Sequence, residues 1–272
     1  MNDLYIITGA AGGMGIAAAK RFKDYGDLLL LDLSESGLEN LKNELGENVY
    51  TMKFDIANDD DIAKVVEFVK PYGSFKALIH YAGISNNMGN SRKIIEINEK
   101  GTVNLVNALY DYAKEGSVVI NTASMAGHSV PATPEVSAII DETLETKEYD
   151  KLIECCGDNV TMAYGYSKRA VIRFTKNVAP MFGRKGARVV CISPGTILTP
   201  MLQHEIDNGT DGVIDNIIKV TPIGRIGKAE DIADLTEYLC SDKAAFLTGI
   251  DILCDGGSTY NVMKLRGMGN EV

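Results

Sequence analysis

The sequence predicts an α/β fold in which a parallel sheet carries helices on both faces. Three observations support this. Short apolar runs rich in branched residues alternate with longer segments of helical period along the 272 residues. One run, Leu28-Leu29-Leu30-Leu31, is hydrophobic at every position, as a strand buried on both faces requires. The first run enters a helical pattern directly through a glycine-rich turn.

Seven strands are expected in order: Leu4 to Thr8, Leu28 to Leu33, Val49 to Phe54, Ala77 to Tyr81, Ser117 to Thr122, Arg188 to Ile192 and Ile250 to Cys254. Right-handed crossovers between parallel strands then place helices on each side. No repeat, low-complexity tract or linker divides the chain, so residues 1–272 read as one domain. One segment breaks the rhythm. Residues 128–162 form a long excursion in which Val136, Ile139, Ile140 and Leu144, then Tyr149, Leu152, Ile153 and Cys156, fall at helical spacing. This predicts a helical insertion of one or two short amphipathic helices, either a surface flap or a wall of the site.

Composition narrows the function. Twenty-seven basic against 37 acidic residues give a net charge of −10, which disfavours nucleic acid and anionic membranes as partners. No apolar stretch approaches the ~20 residues needed to cross a bilayer, and the start, Met1-Asn2-Asp3-Leu4, lacks the basic region of a signal peptide. The expected compartment is therefore cytoplasmic. The cysteines at 155, 156, 191, 240 and 254 show no C-x-x-C spacing, and histidines 80, 128 and 204 lie far apart, so no metal site is expected.

The turn Thr8-Gly9-Ala10-Ala11-Gly12-Gly13-Met14-Gly15 joins a strand to a helix, which lets a pyrophosphate approach backbone amides and the positive helix end. Asp32, 23 residues after Gly9 and followed by Leu33, ends the second strand where a carboxylate accepts hydrogen bonds from an adenosine ribose, or else caps the next helix. Its charge repels a 2′-phosphate, which favours NAD over NADP. Asp55, followed by Ile56, either bonds an adenine amino group or caps a turn.

Four tyrosine-lysine pairs have a spacing of four: Tyr72/Lys76, Tyr110/Lys114, Tyr164/Lys168 and Tyr260/Lys264. Only Tyr164/Lys168 follows a serine at the end of an apolar strand, Ser124, and opens a long amphipathic helix. The spacing puts both side chains on one face, where an ammonium favours the ionised phenol, a general base.

Together these features resemble the short-chain dehydrogenase/reductase family, from Leu4 to about Tyr260. The glycine turn matches its TGxxxGxG, Asn98-Glu99-Lys100-Gly101 its N-x-x-G helix, and Asn121-Thr122-Ala123-Ser124 its serine strand. Tyr164-Gly165-Tyr166-Ser167-Lys168 matches YxxSK, Ser193-Pro194-Gly195 the proline-glycine turn and Asp255-Gly256-Gly257 the closing turn. The resemblance implies a single Rossmann-type, doubly wound, seven-stranded parallel sheet. It also implies Tyr164 as acid/base, Lys168 lowering its pKa and holding the nicotinamide ribose, Ser124 orienting the substrate oxygen, and Asn98 positioning a relay water. Ala82 and Gly83 would lie close to the cofactor beside Pro194 and Gly195, and Ile197 and Thr199 match positions that bond the nicotinamide carboxamide.

Two departures stand out. His80-Tyr81-Ala82-Gly83 replaces the family's N-N-A-G, which removes or replaces the asparagine contacts, and residues 128–162 are longer than in most relatives. Met125, Met162, Met201 and Leu202 either fill core or form an adaptable apolar pocket. The second reading makes a hydroxysteroid or bile acid the best single substrate. Alternatives are a ketoacyl reductase acting on an acidic carrier, which the −10 charge and Asp32 disfavour, and a non-catalytic nucleotide-binding regulator. Enoyl reduction fits less well, because those relatives space tyrosine and lysine more widely. The resemblance also implies a homotetramer, or a homodimer if the insertion intervenes.

Overall fold

The computed structural model describes residues 2–199 and 213–265. The first half alternates β1 (Leu4–Thr8), α1 (Gly13–Phe22), β2 (Asp27–Asp32), α2 (Glu35–Leu45), β3 (Val49–Lys53), α3 (Asp59–Val69) and β4 (Ala77–His80). Then α4 (Ser91–Ile95) passes through a π-helical turn, Glu96–Gly101, into α5 (Thr102–Ala108), and β5 (Val118–Thr122) follows. Next come α6 (Ala126–Ser129), α7 (Pro134–Thr146), α8 (Asp150–Cys156) and the long α9 (Val160–Gly183). The last part holds β6 (Arg188–Pro194), β7 (Ile197–Leu198), α10 (Val213–Val220), β8 (Gly227–Lys228), α11 (Ala229–Cys240), β9 (Asp251–Cys254) and α12 (Ser258–Leu265).

Seven parallel strands lie in the order β3-β2-β1-β4-β5-β6-β9, the doubly wound arrangement that the sequence predicts. The side-chain alternation of a strand explains the continuous apolar runs. Tyr5, Ile7, Leu28 and Leu30 face a core closed by Ala18 and Phe22 of α1 and Ile232 of α11. Leu4, Ile6, Leu29 and Leu31 face a second core closed by Val65 of α3, Val106 of α5 and Phe174 of α9. The second strand ends one residue earlier than expected, leaving Leu33 outside the sheet and 61% exposed.

The chain reverses its winding between β1 and β4, so their carboxyl ends open into a crevice of the kind that binds ligands in open α/β sheets. Residues 128–162 fold beside it. Val136 and Ile140 of α7, with Leu152 and Cys156 of α8, build a third core against Ile94 and Ile95 of α4 and Ala163, Tyr166 and Ala170 of α9. Arg173 of α9 clamps the Asp141 carboxylate of α7 with two guanidinium donors. Among the described residues no helix is long and apolar enough to cross a membrane.

Candidate active site

The glycine-rich turn closes tightly because two of its positions have no room for a side chain. A Cβ on Gly15 would lie 2.1 Å from the Gly9 carbonyl oxygen. Gly9 itself has φ +65°, and a Cβ there would meet the Ala82 amide at 2.9 Å. Gly12 caps α1 without a side-chain hydrogen bond, and the first turn, with Gly13 and Met14, carries no acidic residue. The leading amides of α1 therefore form an anion-accepting end, which fits a dinucleotide pyrophosphate.

Asp32 ends β2 beside this turn. One carboxylate oxygen accepts from the Ala11 amide at 3.0 Å and the other from the Ser34 amide at 2.9 Å. Ser34, not Asp32, caps α2, through its hydroxyl and the Gly37 amide. Lys53, opposite Asp32 in the β2–β3 register, is paired with Glu35 at 3.2 Å. Asp55 closes a turn by accepting from the Ala57 amide at 2.9 Å, with Ile56 buried next to it.

The other side of the crevice gathers the reactive groups. Ser124 follows β5; its hydroxyl accepts from the Ala126 amide at 3.2 Å and also acts on the Tyr164 phenol in the direction that favours the phenolate. Burial of the phenol acts more strongly in the opposite direction, so its pKa is raised overall. Lys168, one turn further along α9, is buried and donates to the Thr122 carbonyl at 3.0 Å, with its amine 5.9 Å from the centre of the tyrosine ring. Desolvation pulls the amine down to about 8. The lysine is turned to a backbone carbonyl, and burial sets the upward direction of the tyrosine's shift.

Asn98 lies inside the π-helical turn. Its carboxamide pairs with both backbone groups of Ile84, accepting at 2.8 Å and donating at 3.0 Å, and also donates to Ser167 at 3.3 Å. Ser167 in turn donates to the Tyr164 carbonyl at 2.8 Å. Gly83 fits against this group, since a Cβ there would lie 3.0 Å from the Asn98 oxygen and 3.3 Å from the Lys168 amine. The Ala82 amide donates to the Thr8 hydroxyl at 3.0 Å. Pro194 and Gly195 join the site to β6 and β9, with the Met125 amide donating to the Pro194 carbonyl and the Gly195 amide to that of Cys254. Ile197 packs on the first core from β7, and Thr199 follows that strand. Met201 and Leu202 lie outside the described residues.

Sequence reasoning missed three participants: the Thr122 carbonyl that receives Lys168, the Ser167 hydroxyl that joins Asn98 to the tyrosine's own backbone, and Thr102, four residues after Asn98. Only Ser167 carried a signal, as the serine of YxxSK. His80 and Tyr81, which replace two asparagines, both make new hydrogen bonds. Tyr81 reaches the Thr236 hydroxyl at 2.6 Å across the first core, and His80 contacts Thr8 and Thr102.

A parallel doubly wound sheet, an uncapped glycine turn and a serine-tyrosine-lysine group at its carboxyl edge define a class of nucleotide-binding oxidoreductases. The chain belongs to the short-chain dehydrogenase/reductase family. The family model described as short chain dehydrogenase matches residues 4–136, and one described as Enoyl-(Acyl carrier protein) reductase matches residues 154–259. A 3beta-hydroxysteroid dehydrogenase 2 of Eggerthella lenta is 30% identical, the alignment covering 93% of each chain. A 2-(R)-hydroxypropyl-CoM dehydrogenase of Xanthobacter autotrophicus is 27% identical over 95% of this chain and 99% of its own. The crystal structure of a short-chain dehydrogenase/reductase of the glucose/ribitol dehydrogenase type from Brucella melitensis superposes with a TM-score of 0.76 at 29% identity, over 94% of this chain and 96% of that one.

Proposed function

We propose that the protein is an NAD-dependent oxidoreductase interconverting a secondary alcohol and its ketone, with a hydroxysteroid or bile acid as the substrate class. The observation that carries the reading is the gathering of Ser124, the Tyr164 phenol and the buried Lys168 amine at one edge of the crevice: the serine hydroxyl favours the phenolate, and the amine lies 5.9 Å from the centre of the phenol ring. Two hydroxyl groups meeting at the mouth of a crevice can hold one substrate oxygen between them. In the oxidising direction the Tyr164 phenolate removes the alcohol proton while Ser124 donates a hydrogen bond to the same oxygen; in reduction the phenol returns the proton. The bound dinucleotide supplies the nicotinamide carbon that exchanges hydride with the substrate. Lys168 holds the nicotinamide ribose, and Asn98 positions the water through which protons reach solvent.

The fit to a dinucleotide rests on the side-chain-free α1 terminus and on Asp32, whose charge beside the ribose position supports NAD. An apolar alcohol is supported by Ile84, Val130 and Met162, which, like Tyr164, pack against the third core while keeping part of their surface exposed. The similarity to a hydroxysteroid dehydrogenase points the same way. Four-residue spacing of Tyr164 and Lys168 separates the chain from enoyl reduction. The open edge strand β9, with Leu253 37% exposed and Phe246 fully exposed nearby, supports self-association as a homotetramer or homodimer. Hydroxysteroids, sugars and small cyclic alcohols, each offered with NAD and with NADP, test the assignment by nicotinamide absorbance. Turnover of hydroxysteroids with NAD that Tyr164→Phe abolishes is the expected result, and activity confined to polyols removes the steroid.

A further inference from the structure

His80 stands where β4 ends, paired in register with Thr8 of β1, and its ring is 1% exposed. Nδ1 lies 2.7 Å from the Thr8 hydroxyl, and Nε2 lies 2.9 Å from the Thr102 hydroxyl. Thr102 donates its proton to the Asn98 carbonyl at 2.6 Å, so its oxygen acts as acceptor toward the ring and Nε2 must carry the hydrogen. Nδ1 is then bare and accepts from Thr8, whose oxygen accepts from the Ala82 amide at 3.0 Å. Every donor in this chain has one acceptor: Ala82 N–H to Thr8, Thr8 O–H to Nδ1, Nε2–H to Thr102, Thr102 O–H to Asn98.

We infer that His80 is a positioning residue, an Nε2-protonated imidazole that ties the glycine-rich turn to the π-helical segment carrying Asn98. A π-helical turn is intrinsically rare and needs outside restraint. The histidine supplies it from the strand side, while Ile84 and Ser167 hold the Asn98 carboxamide from the other. Burial and the nearby Lys168 charge push the ring's pKa down to about 3, so the imidazole stays neutral in the working pH range, holding its Nε2 hydrogen and taking up no second proton. An asparagine at position 80 would place a polar atom near Nδ1 and none near Nε2. The departure from N-N-A-G therefore adds the connection to Thr102 and Asn98.

The test uses the whole protein labelled with 15N-histidine. With three histidines in the chain, His80→Asn identifies the His80 signal by its loss. In the wild type, that ring is expected to show a protonated Nε2 and a bare Nδ1 from about pH 6 to about pH 8. His80→Asn is expected to keep NAD affinity within about twofold, because the Thr8 contact survives, while amide exchange across residues 96–102 speeds up about tenfold. Thr102→Val should do the same, and the double variant should be no faster than either single one. The kinetic arm rests on the dehydrogenase reading: kcat falls about tenfold with KM unchanged. A doubly protonated ring, the opposite tautomer, exchange at the wild-type rate, or losses that simply add would overturn the inference. If no alcohol is oxidised even by wild type, the dehydrogenase reading fails, and tautomer and exchange still decide the role of His80.

Discussion

The Lys168 amine donates to the Thr122 carbonyl at 3.0 Å and stands 5.9 Å from the ring centre of Tyr164. The residue usually regarded as the tyrosine's electrostatic partner is thus anchored first to the end of β5, the strand that leads to Ser124. That anchor sets the distance between the amine and the crevice, and it buries an ammonium at a cost in stability.

Lys168→Met should therefore give a more stable and inactive protein. The amine has its pKa at about 8 in the fold and 10.5 ordinarily, so below pH 8 the folded state carries the whole cost of burying the charge, on the order of 3 kcal/mol. Between those two values the unfolded chain binds a proton that the folded one has released, and wild-type stability rises with pH. The lost bond to Thr122 offsets part of the gain. Denaturant titration is expected to show the methionine variant about 1–3 kcal/mol more stable near pH 7, with the difference shrinking toward pH 10. Turnover should fall at least ~100-fold. An unchanged gap across that range would show that the lysine is not the group responsible.

Tyr164 leads to a pH profile. Burial raises the phenol, and the Ser124 hydroxyl only partly opposes it, so the base form grows as pH rises through the alkaline range. Alcohol oxidation should climb with pH, while ketone reduction, which uses the neutral phenol, should not. Ser124→Ala removes the opposing contact and should move the rise to higher pH. Tyr164→Phe should lower kcat by ~100-fold or more. A Ser124→Ala profile that moves toward lower pH would contradict the role of that hydroxyl.

Asp32 does two things that a substitution separates. Its carboxylate holds the Ala11 and Ser34 amides, and in the proposed complex its charge selects against a 2′-phosphate. Asp32→Asn keeps an acceptor and loses the charge. Calorimetric titration should show NAD binding weakened about tenfold, with the preference for NAD over NADP reduced or reversed. A preference left intact by this change would place cofactor selection elsewhere.

Glu99, next to Asn98, is fully buried, and neither carboxylate oxygen has a partner. Desolvation raises its pKa well above the ordinary 4.5, so the folded state favours the neutral acid. Because the folded value is the higher one, the acid's contribution is fully present below about pH 4.5 and declines as the unfolded chain ionises above it. Glu99→Leu is therefore expected to stabilise the protein by about 1–3 kcal/mol at neutral pH, with the advantage vanishing in acid. Melting temperatures measured at several pH values would show it, and an advantage independent of pH would count against a buried neutral acid.

The inner strands were legible because they are buried on both faces and no other pattern accounts for runs such as Leu28 to Leu31, and the edge strands β3 and β9 because they follow the same alternation with helices. The candidate site was legible as a pattern because Ser124, Tyr164 and Lys168 stand in a distinctive order and spacing. What stayed hidden was partnership. Residue identity does not say that Lys168 turns to Thr122, that Asp32 is already bonded to two amides, or that Glu99 faces inward. The π-helical turn at Glu96–Gly101 was invisible for a related reason: it continues the helical period of α4 and α5 and is held by distant groups, Ile84, Ser167 and His80.

Gly165, the residue after the proposed base, shows how the insertion and the site are joined. A Cβ there would come within 2.0 Å of the Val130 Cγ1 and 3.3 Å of the Ala126 carbonyl, so the valine sits in a notch cut into α9. Two effects of Gly165→Ala oppose each other. Helix propensity favours alanine by about 1 kcal/mol, whereas overpacking against Val130 costs about 1–3 kcal/mol or displaces the chain that carries residues 128–162. At so short a separation the clash should win: the variant should be less stable and slower, with the loss falling on kcat, because Tyr164 shares the shifted backbone. Val130→Ala removes the offending methyl, so adding it to Gly165→Ala should restore stability and kcat beyond what either change alone predicts. A Gly165→Ala protein that gains about 1 kcal/mol would show that the valine does not enter the notch, and would detach the insertion from the wall of the site.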